Sequence, residues 1–325
     1  MKGTEMMDKI EAVLSIAGSD SSGGAGIQAD IKTIMAHGLF AECAITALTA
    51  QNTTGVYGVL NVDPAFVEQQ IDVVFDDIRP AAVKIGMVSD PEIVHAIAAA
   101  LQRNNAQNIV VDPVMVATSG SALIVDEAVD ALVSELFPLS SVVTPNLPEA
   151  SALCGFEIAS ERDMERATEA IARLCGGAVL IKGGHFTRDD ASVGDSMQTD
   201  KSEIKGVLAD APVSASEDAS SGEGANAGES ASAPGSAQAS DLLRLRDGEL
   251  VWLRAPRIDT QNTHGTGCTL SSAIACGLAR GLVVTEAVCQ AKAYVSGALG
   301  AGLNLGRGSG PLDHAYEFRR AEIFS

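Results

Sequence analysis

The feature that most constrains the fold of this chain is a regular alternation of two kinds of segment. Short apolar runs rich in Val, Ile and Ala are each followed by a segment whose apolar residues recur at helical spacing, and residues 12–17 and 27–36 form the first such pair. Parallel strands are buried on both faces and joined by helical crossovers, and this alternation is their sequence signature. We therefore predict an α/β fold with a largely parallel, doubly wound sheet.

The same criteria locate the individual elements. Strands are predicted at residues 12–17, 43–48, 82–85, 109–113, 141–146 and 178–181, and a hairpin at 242–245 and 250–253. Helices are predicted at residues 27–36, 64–77, 91–103, 126–136, 162–175 and 285–303, with further helices from Pro148 and after Cys268. Ligands of such folds bind at the carboxyl ends of the strands, which is where the polar motifs of this sequence fall.

Charge and hydropathy exclude several kinds of partner. The formal net charge of the 325 residues is −20, which disfavours nucleic acids and anionic membrane surfaces as partners. A small anionic ligand remains compatible with this charge, because a local group of backbone N–H donors can oppose the overall field. No stretch is long and apolar enough to span a bilayer, and no secretory signal is recognisable.

Cysteine usage indicates a reducing compartment. The cysteines are Cys43, Cys154, Cys175, Cys268, Cys276 and Cys289. They form no C-x-x-C pair and no Cys/His pairs at zinc spacing, so a structural zinc site is not predicted. Without a secretory signal, we expect free thiols and a cytoplasmic location.

Residues 262–272, N-T-H-G-T-G-C-T-L-S-S, carry the strongest chemical signal. Small polar residues with Gly265 and Gly267 lead into an apolar, small-residue run, which predicts a loop that opens a buried helix. The unpaired N–H groups and the positive dipole end of such a helix form an anion site. Cys268 lies at this turn, where we expect a lowered thiol pKa and a role as base or nucleophile. A Gly-rich helix entry with a small core cysteine is the alternative interpretation.

The glycine cluster after the first predicted strand spans residues 18–26. Gly24 to Ala29 matches the dinucleotide pattern G-x-G-x-x-A, but about six polar residues separate it from the strand, whereas in that fold the first glycine follows almost at once. No G-x-x-x-x-G-K-[ST] sequence is present either. We interpret the cluster as a mobile loop that lets a ligand approach the backbone. Asp30 is then a ligand contact or an acid near a helix N-terminus.

Two acids and a lysine follow other predicted strands. Mg²⁺ bound to phosphates is usually held by one or two carboxylates and waters, and Asp112 and Glu149 could serve, with helix capping as the alternative for either. Lys182 ends a buried strand beside two glycines, which is unusual for lysine unless it meets a charge such as phosphate. With the anion site and Cys268, these residues make a set suited to phosphoryl transfer.

Residues 189–240 differ in composition from the rest of the chain. Ala, Ser, Gly, Asp and Glu dominate there, and such a segment cannot bury enough apolar surface to offset its ordering entropy. We predict a disordered acidic surface insertion. The alternative is that part of this segment forms a lid over the site.

Taken in order, these motifs resemble the hydroxymethylpyrimidine/phosphomethylpyrimidine kinases of thiamine biosynthesis, a family of the ribokinase-like superfamily. The matching stretches are residues 16–30, 46–52, 84–87, 111–115, 119–120, 144–149, 182–185 and 262–271. The resemblance implies one ribokinase-like domain over residues 1–325, with three αβα layers, a mostly parallel central sheet and usually a homodimer. It also implies ATP and Mg²⁺ as cofactors. The hydroxymethyl group of a small aminopyrimidine would be phosphorylated first, and then the resulting monophosphate.

The resemblance also implies roles for individual residues. The residues expected around the pyrimidine are Gln51, which would hydrogen-bond it, and Gly18, Asp30, Met87 and Val114. Asp112 and Glu149 would face Mg²⁺, and Asn146 and Lys182 the nucleotide phosphates. Cys268 stands where related sugar kinases carry an aspartate base. The backbone N–H groups expected to stabilise the transferring phosphoryl oxygens are those of Gly265, Thr266, Gly267 and Cys268.

Three alternatives remain open from the sequence. A pyridoxal-type vitamin kinase could use the same scaffold. A catalytically silent ligand-binding protein is a second alternative, although the complete set of Cys268, Asp112, Glu149 and Lys182 argues against it. A dinucleotide-dependent oxidoreductase is the third, and the glycine spacing disfavours it.

Overall fold

The computed structural model describes residues 10–115, 126–184 and 238–320. The strands are β1 (Ala12–Asp20), β2 (Phe40–Asn52), β3 (Gly55–Asn61), β4 (Ala82–Ile85), β5 (Ile109–Val111), β6 (Val142–Val143), β7 (Ala178–Ile181), β8 (Gln238–Arg244) and β9 (Leu250–Pro256). The helices are α1 (Gly26–Ala36), α2 (Pro64–Asp77), α3 (Pro91–Arg103), α4 (Asp126–Ala131), α5 (Leu147–Cys154), α6 (Glu161–Ala172), α7 (Thr266–Ala279), α8 (Val284–Gly300) and α9 (Tyr316–Arg320). In the part of the chain that the structure describes, no helix combines the length and the apolar character that crossing a membrane requires.

All these strands form one sheet in the order β3-β2-β1-β4-β5-β6-β7-β8-β9. The six central strands, from β2 to β7 in that order, pair in parallel. The pairings of β3 with β2 at one edge, and of β8 with β7 and β9 toward the other edge, are antiparallel. The prediction of a mostly parallel sheet is therefore confirmed.

Helices cover both faces of the sheet and complete three αβα layers. Successive residues of a strand point to opposite faces, so Val13 packs in the cluster that contains Ile274 of α7. Its neighbour Leu14 packs in the cluster that contains Ile71 of α2 and Ile97 of α3. The central strands are consequently apolar along their length, which is the reason that the sequence pattern revealed them.

The structure differs from the predicted elements where polar residues continue a strand. β1 extends past residue 17 to Asp20, because Ser19 and Asp20 pair with β2 although neither is apolar. β2 extends to Asn52, so Gln51 lies in a strand and not in a loop. β3 was not predicted at all, since its residues are mostly exposed and form an edge strand without a buried face.

Two further boundaries change. The helix predicted at 126–136 is α4 followed by a π-helical turn at Leu132–Leu136. The predicted insertion 189–240 lies outside the described residues except at its end, where Gln238–Ser240 already belong to β8. These three residues join the sheet through ladder pairing with β9, including Ser240 with Arg254, which composition does not reveal.

Candidate functional site

The first turn of α7 lies against the glycine loop that follows β1. Gly265 precedes this turn with φ of 87°, and a Cβ atom there would lie 1.9 Å from the carbonyl oxygen of Gly24. Only glycine fits both the left-handed backbone and this close approach. The predicted helix-opening loop is therefore confirmed, and glycine at this position joins two distant motifs.

Free N–H donors mark the start of α7. The N–H of Thr266 donates to the carbonyl oxygen of Thr263 at 3.3 Å, whereas those of Gly267 and Cys268 have no backbone acceptor among the described residues. They lie at the positive end of a 14-residue helix. A Cβ atom on Gly267 would lie 3.1 Å from Oδ2 of Asp112 and 3.4 Å from Nζ of Lys182. The donors, the carboxylate and the ammonium therefore share one small space, which suits a phosphate group.

Lys182 and Asp112 form an ion pair at the ends of β7 and β5. Nζ of Lys182 donates to Oδ1 of Asp112 at 2.7 Å, and the hydroxyl of Thr144 donates to the same oxygen at 3.0 Å. Burial alone would lower the pKa of Lys182, but the carboxylates of Asp112 and Glu149 outweigh it and raise that pKa. Lys182 therefore remains a cation in the site.

Glu149 and Asn146 begin α5 as a capping box. The side chain of Asn146 accepts from the N–H of Glu149 at 2.9 Å, and Oε2 of Glu149 accepts from the N–H of Asn146 at 2.8 Å. The capping alternative stated for Glu149 is thus confirmed, with Asn146 as its partner. Burial raises the pKa of Glu149; Lys182 opposes this rise and the nearby carboxylate of Asp112 adds to it. Two neighbouring carboxylates of which one is costly to ionise are suited to a cation.

The donor set allows one kind of metal site and not another. Within residues 10–115, 126–184 and 238–320, no group of three or more His, Cys, Asp or Glu side chains could hold a metal ion alone. Mg²⁺ bound to phosphates needs only one or two protein carboxylates. Asp112, with Oδ2 facing the phosphate space, and the adjacent Glu149 fit this requirement.

The expectation of a lowered thiol pKa at Cys268 is wrong for this structure. Although Cys268 keeps part of its surface exposed, protein atoms surround its sulfur, and burial raises its pKa to about 11. The positive charge of Lys84 acts in the opposite direction, and the carboxylates of Asp30 and Asp112 add to the rise. Desolvation and two acids therefore outweigh the charge of Lys84, and the thiol is protonated at neutral pH.

Asp30 lies beneath the site and not on its surface. Its residue exposure is 0%, and Nζ of Lys84 donates to its two carboxylate oxygens at 3.0 and 2.9 Å. The hydroxyls of Ser15 and Ser272 add bonds of 2.6 and 2.7 Å. A direct ligand contact by Asp30 is not supported, because both oxygens are occupied. Asp30 instead joins α1 to β1, β4 and α7.

Lys84 is a charged residue of the site that the sequence interpretation missed. Burial lowers the pKa of Lys84, but the charge of Asp30 outweighs it, so that pKa lies above its ordinary value. The signal was a single lysine in the apolar strand Ala82–Ile85, since lysine is almost never fully buried without a partner.

The residues assigned to the pyrimidine line the ends of neighbouring strands. A Cβ atom on Gly18 would lie 2.9 Å from Cε of Met87, so glycine makes room for that side chain. The N–H of Val114 donates to the carbonyl oxygen of Asp112 at 2.8 Å, in the segment that leaves β5. Gln51, half-buried near the end of β2, lies within 3.4 Å of His264. The structure thus brings the two predicted ends of the site together.

The glycine loop after β1, which we predicted to be mobile, forms a compact turn around the side chain of Asp20. The carboxylate of Asp20 accepts from the N–H groups of Ser22, Gly24 and Ala25 at 2.8, 3.1 and 2.8 Å. It also accepts from Nε2 of His264 at 2.8 Å, which ties the turn to the loop before α7. Asp20 and His264 lie within the two glycine motifs, and the sequence interpretation assigned neither residue a role.

A second concave region lies at the amino ends of the parallel strands, opposite the site described above. A cavity of about 620 Å³ is lined by residues that precede β6 and β7, among them Ser141 and Gly177, and by Arg246. We assign the chemistry to the carboxyl ends of the strands, because the buried ion pairs and the raised pKa values converge there.

Comparison with known proteins gives a consistent result. The family model described as phosphomethylpyrimidine kinase matches residues 20–213 and 227–313. The chain is 46% identical over 309 residues to a hydroxymethylpyrimidine/phosphomethylpyrimidine kinase of Rhizobium meliloti (strain 1021), covering 94% of this chain and 97% of that one. It is similar to the crystal structure of phosphomethylpyrimidine kinase from Clostridium difficile 630, with a TM-score of 0.65 and 39% identity over 89% of this chain and 98% of that one. It is also similar to the ADP complex of Bacillus subtilis pyridoxal kinase, with a TM-score of 0.74 and 29% identity over 96% and 100% of the two chains.

Proposed function

The chain belongs to the phosphomethylpyrimidine kinase family, and from this premise we propose how its residues carry out the family's reaction. The protein is a kinase of thiamine biosynthesis. It uses ATP to phosphorylate 4-amino-5-hydroxymethyl-2-methylpyrimidine and then the monophosphate. The roles of individual residues, the use of Mg²⁺ and the oligomeric state are our proposals.

One observation carries the assignment of roles. The first turn of α7, with its free N–H groups, faces the Lys182–Asp112 pair. His264, two residues before this turn, lies next to Gln51. A ring held by Gln51 therefore lies beside the anion site, so a hydroxymethyl substituent can reach a phosphoryl group bound there.

In the proposed transfer, the hydroxymethyl oxygen attacks the γ-phosphorus of ATP. A new O–P bond forms, the bond to the bridging oxygen of ADP breaks, and the hydroxyl proton leaves the substrate. The N–H groups of Gly267 and Cys268 donate to the transferring phosphoryl oxygens, and Lys182 balances their charge. Because the thiol of Cys268 is protonated at neutral pH, we propose that it relays the proton: its S–H donates to a phosphoryl oxygen as its sulfur accepts from the hydroxyl.

Asp112 and Glu149 would hold Mg²⁺. When bound, this ion neutralises phosphate charge and orients the β- and γ-phosphates. The support is the pair of adjacent buried carboxylates, of which Asp112 leaves Oδ2 directed at the phosphate space.

A coupled ADP-release assay tests the function directly. With the intact chain and ATP, we expect ADP release with hydroxymethylpyrimidine and, in a separate reaction, with its monophosphate. Release with neither compound would contradict the proposed function. Release with the first alone would restrict it to a single phosphorylation.

Pyridoxal is the required comparison substrate. Overall shape does not separate the alternatives, because the pyridoxal kinase superposes with the higher TM-score. Sequence identity favours the pyrimidine, since 39% of residues match the phosphomethylpyrimidine kinase and 29% the pyridoxal kinase. We therefore expect kcat/KM for hydroxymethylpyrimidine to exceed that for pyridoxal, and the reverse order would favour the vitamin kinase.

The variant Gln51→Ala tests the ring contact. Loss of the amide removes hydrogen bonds to the ring but none to the nucleotide, so we expect KM for the pyrimidine to rise about tenfold or more and KM for ATP to change little. Steady-state kinetics with each substrate varied in turn measures both constants. Asn52→Ala is the matched control, because the Asn52 side chain is exposed and caps the turn at Thr54. Equal rises in the two KM values for Gln51→Ala would contradict the role.

We also propose that the protein is a homodimer formed through the β2–β3 edge. Apolar side chains stay exposed on these strands, with Tyr57 at 70% and Leu60 at 67%, and exposed apolar patches indicate contact surfaces. Light scattering after gel filtration should give twice the mass of the chain. Leu60→Lys should give the single mass, whereas Val283→Lys, at an exposed valine elsewhere, should not. A wild-type monomer would refute this proposal.

Two properties concern the chain as a whole, its domain organisation and its location. We propose one kinase domain over the full length, supported by the single sheet and by a family match that omits only 214–226 between its two segments. We propose a cytoplasmic location, supported by six free cysteines, which persist in reducing compartments.

A further inference from the structure

The hydrogen-bond partners of the Gln51 amide define which of its ends is oxygen and which is nitrogen. In the structure, Oε1 of Gln51 lies 3.1 Å from the hydroxyl oxygen of Thr49. Its Nε2 lies 3.4 Å from Nε2 of His264. The two ends of an amide have nearly the same shape, so the donors and acceptors around them decide the orientation.

Thr49 needs the amide nitrogen as its neighbour. A threonine hydroxyl has a single hydrogen, but the hydroxyl oxygen of Thr49 faces two acceptors, the backbone carbonyl of Ser19 at 2.9 Å and Oε1 of Gln51 at 3.1 Å. One hydrogen cannot serve both oxygens fully, and we assign it to the nearer one, the carbonyl of Ser19. Toward Gln51 this hydroxyl can therefore only accept. The end of the amide that faces Thr49 must be the donor, which is the NH₂ group.

His264 needs the amide oxygen. Burial alone would raise the pKa of Asp20, but the hydrogen bonds from His264, Ser22 and Ala25 outweigh it and hold that pKa at about 2. Asp20 is thus an ionised acceptor at neutral pH, and Nε2 of His264, 2.8 Å from it, must carry the hydrogen. A nitrogen that already donates cannot accept from an NH₂ group. The end of Gln51 that faces His264 must be the carbonyl oxygen, which shares the Nε2–H with Asp20.

Both neighbours therefore require the same orientation of the Gln51 amide, with NH₂ toward Thr49 and the carbonyl oxygen toward His264. This is the orientation described above with the two ends of the amide exchanged. We propose that Thr49 and the Asp20–His264 pair lock Gln51 with its carbonyl oxygen toward the loop before α7, and that this lock determines which way round the aminopyrimidine binds. The proposal rests on the proposed function. Gln51 is half-buried, so the second amide hydrogen and the second lone pair of the oxygen are left for a ligand.

The lock places the reacting group at the correct end of the site. In 4-amino-5-hydroxymethyl-2-methylpyrimidine, the acceptor N3 adjoins the 4-amino donor, and the 5-hydroxymethyl group adjoins the amino group on its other side. The ring edge pairs with a primary amide through both groups. With the carbonyl oxygen on the His264 side, the amino group and the adjoining hydroxymethyl group lie toward Gly265–Cys268. The reverse orientation would turn the hydroxymethyl group toward Thr49. His264 and Thr49 are therefore positioning residues.

The kinetic test uses two probes and ATP. They are the aminopyrimidine and its analogue without the 4-amino group, and the readout is the ratio of their kcat/KM values. We expect His264→Leu and Thr49→Val each to reduce this ratio about tenfold or more and to leave KM for ATP within about twofold. His264→Gln keeps an N–H at the position of Nε2 and should restore most of the ratio. His37→Leu, at a half-buried histidine that follows the C-terminal end of α1, is the control and should keep it.

Two results would overturn the proposal. One is a ratio of the two kcat/KM values that equals the wild-type ratio in both His264→Leu and Thr49→Val. The other is a ratio for His264→Gln that is no higher than the ratio for His264→Leu. Absence of ADP release by the wild type with the aminopyrimidine would refute the proposed function instead.

A nuclear magnetic resonance experiment tests the lock without any substrate. In the ¹⁵N-labelled wild type, the side-chain NH₂ of Gln51, assigned by its loss in Gln51→Ala, should show cross-relaxation to the Thr49 methyl group. Cross-relaxation to the ring protons of His264 in its place would overturn the proposed orientation.

Discussion

Replacing Cys268 by alanine should lower kcat about 10²-fold or more and leave the fold intact, which is the loss typical of a group that moves a proton in the transition state. The variant removes a small side chain from the first turn of α7 but no backbone donor. The anion site should therefore persist, and KM for ATP should change little. Steady-state kinetics and the circular dichroism spectrum measure the two expectations. Near-normal turnover would contradict a role of the thiol in proton transfer.

The raised pKa of Cys268 separates a relay from a base. At pKa of about 11, only ~1 thiol in 10⁴ is ionised at pH 7. If the thiolate were the base, kcat would rise close to tenfold per pH unit between pH 7 and 9. A relay through the protonated thiol predicts no such rise in this range. It also predicts that Cys268→Ser, whose hydroxyl can relay, is more active than Cys268→Ala.

Cys276→Ala provides the matched control for Cys268→Ala. Cys276 lies in the same helix, is fully buried and packs in the core. Its loss should affect stability and leave kcat close to the wild-type value. A similar fall of kcat in both variants would mean that any cysteine deletion disturbs α7.

Replacing Lys84 by methionine should lower the free energy of unfolding by about 3–5 kcal/mol, because it leaves the carboxylate of Asp30 charged and buried without its cation. Both side chains are 0% exposed, and the bond between them is 2.9 Å long. The hydroxyls of Ser15 and Ser272 cannot neutralise the remaining charge. Urea unfolding at pH 7, with the m-value checked for constancy, measures the loss.

The double variant Lys84→Met, Asp30→Asn tests this reason. With no charge left behind, it should regain more than half of the stability that Lys84→Met loses. The control is Arg173→Met, which breaks an ion pair whose side chains are 73% and 59% exposed and should have little effect. A double variant no more stable than Lys84→Met would show that packing, and not the unpaired charge, causes the loss.

Local pattern was sufficient for most of the fold. The central strands and the helices α2 and α3 were predicted correctly, because burial on both faces or on one helical face leaves a periodic apolar signature. The edge strand β3 has no such signature, since most of its residues are exposed. The ends of β1 and β2 extend by polar residues that ladder bonds hold in the sheet.

Local pattern also located the parts of the site. Gly265 and Gly267 before an apolar run predicted the start of α7, and Asp112, Glu149 and Lys182 each follow a predicted strand. Their roles toward phosphate and Mg²⁺ stay predictions.

The electrostatics of the site depend on residues that are far apart in the chain. The sequence by itself determined the parallel sheet, the strand ends that carry the polar residues and the helix that opens at Gly265, because each follows from the spacing of nearby residues. Only the tertiary structure decided that Asp30 forms a buried ion pair with Lys84, that desolvation raises the pKa of Cys268, and that Asp20 accepts a hydrogen bond from His264. Those properties arise from contacts between residues separated by 54 to 244 positions, and desolvation acts through everything that surrounds a group.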